Sequence, residues 1–194
     1  MSDKDDQKVS VKEAAKEVEI ASRRIGLLHL SFAKTLVDEF GEEKGKELVI
    51  KAIERYGKMI GEKAKTRVKE QGLDVQPENF SAGGARDLPK YGMHEKREVT
   101  EEEGEKRIFA YGCALAKVWR EYNEEELGGL YCYVDPVKYM YYNPEFKLVH
   151  KQAMPYTGQN ICEFAVEKTS KEEQDSVLRG KADWEKIDKD LKKD

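Results

Sequence analysis

Few residues of this 194-residue chain have types and spacing suited to chemistry, and most fall in its second half. Cys132 and Asp135 stand three apart in "GGLYCYVDPVKYMYYN", a stretch that also carries Tyr131, Tyr133, Tyr139, Tyr141 and Tyr142. On a turn or helix the C-x-x-D spacing puts thiol and carboxylate on one side. There they could share a metal, or the carboxylate could act as a general base. Asp135 directly precedes Pro136, so a turn or cap role is equally open. The tyrosines suit an amphipathic core or the lining of a pocket for a small polar ligand, with Tyr131, Tyr133 and Tyr139 as the binding candidates.

Two further thiols and three histidines complete the inventory. Cys113 lies where a strand hands over to a helix. At a helix N-terminus the dipole favours thiolate, whereas in a core cysteine behaves as a small hydrophobe. His29 sits within a helix, His94 in a long connection, and His150 on a strand-like run. His150 is the best base candidate of the three, because Cys162 on the next strand should face the same interior. Paired C-x-x-C or H-x3-H elements of structural zinc are absent, as are a phosphate loop and a serine elbow.

The elements that must position these residues follow from periodicity. Apolar residues recur at helical spacing from Val11 to Phe40, with Ser10 and Glu13 as a capping box and Gly41 as the stop. A second helix is predicted from Glu42 to Gln71, with Gly57 and Gly61 four apart. Glycine costs about 1 kcal/mol inside a helix relative to alanine, so close packing against another backbone is the expected compensation. Residues 73–104 read as a connection long enough to be a lid or to hide a strand.

Beyond it the elements shorten. "KRIFAYG" is a strand, and "CALAKVWREY" a helix from Cys113 to Tyr122. A short helix then runs from Glu124 to Tyr131. "EFKLVHKQAM" and "NICEFAVEK", separated by "PYTGQ", form an antiparallel hairpin. Residues 169–194 are a charged tail, in which Trp184, Ile187 and Leu191 have the spacing of a short docked helix. The fold expected is α+β: a long N-terminal helical hairpin (1–72) packed with a C-terminal helix and antiparallel-strand unit (105–168), in one compact domain.

Composition narrows the function class. Charged residues make up 38% of the chain, yet the net charge is only -4, unlike the basic surface of a nucleic-acid binder. The N-terminus lacks the apolar core of a signal peptide, and no run reaches the length of a membrane span. Three sparse cysteines without a secretion signal read as reduced thiols, which places the protein in the cytoplasm. The partner expected is a small molecule, with neither nucleic acid nor membrane. The sequence requires no cofactor, leaves a divalent metal open, and does not set the oligomeric state.

The order of motifs in the second half resembles the L-2-amino-thiazoline-4-carboxylic acid hydrolase-like family. Matching positions are Cys113, Leu127-Gly128, Cys132, Asp135, Thr157-Gly158, Cys162 and Phe164. Glu163 replaces the usual aspartate, and "LVDEFGEEKGKEL" is similar to the family's two-helix lead-in. The resemblance spans roughly residues 20–167, with a fainter likeness to vinyl-reductase-type small-molecule-binding domains. It implies hydrolytic opening of a cyclic amidine ring bearing sulfur and a carboxylate, and ring opening of the thiazoline gives a carbamoyl-cysteine. Asp135 would then activate water or hold the amidinium, Cys113 or Cys132 could attack covalently, and Arg107 or Lys106 could pair with the substrate carboxylate. Cys162 and His150 join the candidate catalytic set. The alternatives are a non-catalytic sensor or carrier for a small molecule or soft metal, and a helical interaction module.

Overall fold

The structure, a computed structural model, describes residues 8–82, 91–102 and 105–192. Helix α1 spans Val11–Phe40 and α2 Glu42–Glu70. Ser10 accepts from the Glu13 N–H while the Glu13 carboxylate accepts from the Ser10 N–H, closing the capping box that starts α1. Gly41, at φ +81°, turns the chain between the helices, a conformation that costs glycine little.

The long connection contains a 3-10 turn at Pro77–Asn79 and strand β1, Lys96–Glu102. β1 pairs antiparallel with β2, Glu105–Tyr111. Then come α3 (Ala114–Glu121), α4 (Glu125–Gly129), a 3-10 turn (Leu130–Tyr133) and α5 (Val134–Tyr142). The tyrosine-rich stretch is thus a 3-10 turn running into a helix. Strand β3 is Phe146–Gln152, the short helix α6 is Met154–Thr157, and β4 is Ile161–Lys168. Helices α7 (Lys171–Leu178) and α8 (Trp184–Ile187) occupy the charged C-terminal segment.

The four described strands form one antiparallel sheet in the order β1-β2-β4-β3. A bulge between His150 and Gln152 shifts the β3–β4 register, so the strand face that holds Leu148 and His150 does not continue unbroken to Gln152. Helix α2 packs along α5, α1 along α3, and α5 lies against β3. The middle layer of short helices therefore sits between the long hairpin and the sheet.

Gly57 and Gly61 explain how closely α2 approaches α5. A Cβ at Gly57 would lie 2.5 Å from Val137 Cγ1, and one at Gly61 would run into the Lys138 carbonyl oxygen. Gly128 plays the same part for the step before the 3-10 turn, where a Cβ would collide with the Trp119 indole. The indole Nε1–H in turn donates to Gly26 O of α1 at 3.0 Å. These contacts fix the position of α5, and with it Asp135.

The C-terminal segment is docked. Trp184, Ile187 and Leu191 are all buried and belong to the main core cluster, as their i, i+3, i+7 spacing predicts. No helix among the described residues is long and apolar enough to cross a membrane.

Candidate functional site

A cavity of about 130 Å³ opens between the face of the sheet, α5, the middle of α2 at Tyr56 and Ile60, and α3 at Leu115 and Trp119. It is close to the ~150 Å³ cavity that admits a benzene ring, so it has room for one small ring. Its sheet side follows the two-residue period. Ile108 and Ala110 come from β2, Leu148 and His150 from β3, and Cys162 and Phe164 from β4. Arg97, the cross-strand partner of Ala110, extends the same face onto β1. Asp135, Lys138 and Tyr139 come from α5, Tyr131 and Cys132 from the 3-10 turn, and Cys113 from the N-cap of α3.

The cavity thus brings together Asp135, Cys132, Cys113, Cys162, His150, Tyr131 and Tyr139. Three other candidates lie elsewhere. Arg107 has the opposite parity on β2 from Ile108 and Ala110, and its guanidinium pairs with Glu163 at 3.0 Å. Glu163, the family's aspartate position, faces away from the cavity in the same way as its partner. Lys106 is exposed on β2. Tyr133 is buried in the core with the Lys192 ammonium 5.9 Å over its ring, because the turn points it away from Tyr131 and Cys132. His29, in α1, does not line the cavity but stacks edge-on against Tyr131, which does.

Asp135 and His150 form the polar centre. His150 is 1% exposed, its ring 4.7 Å from that of Phe164, its cross-strand partner. Its Nε2 lies 3.6 Å from Asp135 Oδ2. On the other side its Nδ1 lies 2.7 Å from Asp188 Oδ2, and its backbone N–H donates to Asp188 Oδ1 at 3.0 Å. Asp135 also forms an ion pair with Lys138, one turn on in α5 and itself 8% exposed. Burial pushes the Asp135 carboxyl up, but Lys138 and His150 more than offset this and hold it below its ordinary value. His94 acts in the same direction.

The three cysteines are neutral thiols at physiological pH. Burial raises Cys113, only partly offset by the backbone N–H groups of Ala116 and Leu115, so the helix N-terminus does not produce a thiolate. Burial raises Cys132 further, with Cys162 and Asp135 adding to the effect. Cys162 is pushed up to about 12 by burial, although its sulfur accepts from the Met154 N–H at 3.2 Å. Burial likewise raises the Tyr131 phenol, and it pushes Tyr139 to about 12. Among the described residues, no set of three or more His, Cys, Asp or Glu side chains is arranged to hold a metal ion.

Sequence reasoning missed Arg97, Lys138 and Asp188. Lys138 carried a signal, since it follows Asp135 by three on what is now a helix. Arg97 lies on a strand, "KREVTEE", with almost no apolar alternation to reveal it. Met93, His94 and Arg97 line the cavity, but the expectation of a lid within residues 73–104 falls in part on positions 83–90, outside the described residues.

No curated protein and no solved structure matches the chain. A profile of the L-2-amino-thiazoline-4-carboxylic acid hydrolase family matches residues 22–166, which include every cysteine, Asp135 and His150. With well over half of its length covered by that match, the chain belongs to the L-2-amino-thiazoline-4-carboxylic acid hydrolase family.

Proposed function

We propose that the cavity binds a small cyclic amidine bearing a carboxylate, of the thiazoline-carboxylate type, and opens its ring by adding water to the amidine carbon. The observation that carries this reading is the approach of His150 Nε2 to Asp135 Oδ2, 3.6 Å apart on the wall of a ring-sized cavity. A water oxygen fits within hydrogen-bond distance of both atoms at that separation. Family membership supports the same substrate class.

In this mechanism Asp135, kept anionic by Lys138, accepts charge-assisted hydrogen bonds from the amidine N–H groups and orients the water. His150 takes the water proton at Nε2 as the oxygen bonds to the ring carbon. The imidazolium then returns that proton to the ring nitrogen, and as the carbon–nitrogen bond breaks the adduct's hydroxyl becomes the product carbonyl, its proton passing to the departing amine. The product contains the substrate plus one water and retains the thioester-like carbon–sulfur bond, giving S-carbamoyl-cysteine from the thiazoline. Arg97, on the same cavity wall, takes the part first expected of Arg107 and pairs with the substrate carboxylate. The neutral thiols have no nucleophilic role and pack around the ring sulfur.

The test is incubation with L-2-amino-thiazoline-4-carboxylate, the product being identified by mass spectrometry. Turnover to a species one water heavier is expected, and His150→Gln should lower kcat by roughly 10²–10⁴-fold, the usual worth of a general base. Binding without turnover by folded protein would overturn the hydrolytic step and leave a small-molecule-binding domain. A His150→Gln variant as fast as the parent would remove His150 from the reaction.

A further inference from the structure

The C-terminal segment lies beyond the family match, which ends at residue 166, yet it delivers a buried carboxylate to the proposed base. Asp188 caps the end of α8, and its side chain is 0% exposed. Trp184, Ile187 and Leu191 seat the segment in the core. Lys147 of β3 ties it to the sheet, donating to Ile187 O at 3.3 Å and to Glu173 of α7 at 2.6 Å. Both Asp188 oxygens are used on one residue: Oδ1 accepts the His150 backbone N–H at 3.0 Å, and Oδ2 faces Nδ1 at 2.7 Å.

We infer that Asp188 is a positioning residue, supplied by the C-terminal segment, that holds His150 with its proton on Nδ1 and its lone pair on Nε2 toward the cavity. A carboxylate there can only accept, so Nδ1 must donate, and the remaining lone pair falls on the nitrogen beside Asp135. As His150 takes a proton from water, the same carboxylate faces the new imidazolium charge in a water-poor interior, where such a pair is strong. Fixing the backbone N–H as well as the ring sets the imidazole's orientation along with its tautomer. The inference rests on the reading of His150 as the base. The chain past residue 168 is therefore part of the site and does more than cover the core.

Asp188→Asn is the discriminating variant. Asparagine can keep the contact to the His150 N–H through its oxygen while presenting an N–H₂ to Nδ1, which forces the proton onto Nε2. Two measurements separate this inference from the proposed reaction. Nitrogen-15 NMR of the His150 ring, which needs no substrate, should report the Nδ1–H tautomer in the parent protein and the Nε2–H tautomer in Asp188→Asn. An unchanged tautomer in folded Asp188→Asn overturns the inference whatever the enzyme's activity. With substrate, kcat should fall about 10²–10⁴-fold with little change in KM, and the acidic limb of the pH–rate profile should move. A purely structural carboxylate would instead lower the melting temperature and leave kcat and the pH profile of the folded fraction as they were. Asp188→Glu, which keeps the acceptor, should retain the Nδ1–H tautomer, and its failure to do so would count against the assignment even if Asp188→Asn does not fold. Absence of turnover by the parent protein, with the tautomer switch intact, would sink the proposed reaction and spare the positioning role.

Discussion

Gly61→Ala tests the packing that sets the site. Alanine in a helix interior is favoured over glycine by about 1 kcal/mol, so propensity alone predicts a more stable protein. Here the new Cβ would sit well under 3.0 Å from the Lys138 carbonyl oxygen and 3.0 Å from the Tyr142 nitrogen. Both are backbone atoms of α5 and cannot rotate away. Helices α2 and α5 would have to separate by roughly half an ångström or more, and because the obstructing atoms are backbone the overpacking cost falls in the upper part of the usual range, about 2–3 kcal/mol. A net loss of about 1–2 kcal/mol is expected, which for a chain of this size lowers the melting temperature by about 2–8 °C.

The same shift moves the helix that carries Asp135 and Lys138. Since a misplacement of about 1 Å can cost 10²-fold in rate, turnover should fall roughly tenfold. Differential scanning calorimetry and steady-state kinetics on the same preparation read both effects. Gly57→Ala supplies an internal control, because its Cβ meets chiefly the Val137 side chain, at 2.5 Å from Cγ1 and 2.8 Å from Cβ. Val137→Ala, which removes the 2.5 Å contact with Cγ1 but keeps the Cβ at 2.8 Å, should relieve Gly57→Ala in part and leave Gly61→Ala unrelieved. A Gly61→Ala protein as stable as the parent would refute the close approach of α2 and α5 on which the site's geometry depends.

Two further outcomes concern charge. Asp135 is held below its ordinary value in the folded protein, so the stability it contributes is complete above its unfolded pKa of about 3.9 and is lost as pH falls through the folded value. The melting-temperature gap between the parent and Asp135→Asn should therefore be widest near pH 5–7 and close toward the acid end, since a protonated Asp135 leaves Lys138 as unpaired as asparagine does. A gap independent of pH would show that Asp135 is not ionised in its pair with Lys138. Because burial raises all three thiols, native protein at pH 7 should react with a disulfide reagent far more slowly than unfolded protein, which releases three equivalents. A fast native phase would identify a thiolate and reopen covalent catalysis.

Local patterns in the chain were enough to specify a good deal. The capping box at Ser10, the stop at Gly41 and the helical period between them define α1, because each is settled within a turn or two of backbone. The parity of β3 and β4 put His150 and Cys162 on one face, where both line the cavity. The glycine pair in α2 announced a close approach, and Cys113, Cys132 and Asp135 stood out as a motif. What only tertiary structure decided is which distant groups meet them. β1 escaped notice because a strand whose single apolar residue is Val99 has no apolar alternation, so Arg97 could not be distinguished from Arg107 until β1 paired with β2 and placed Arg97 opposite Ala110. Tyr133 and Tyr131 differ by two residues and point to different surroundings, because a 3-10 turn rotates them apart. Asp188 lies 38 residues from His150 in a segment that reads as charged tail, and no local pattern links them. Burial of Trp184, Ile187 and Leu191 brings them together, so the apolar docking of the segment determines where its carboxylate ends.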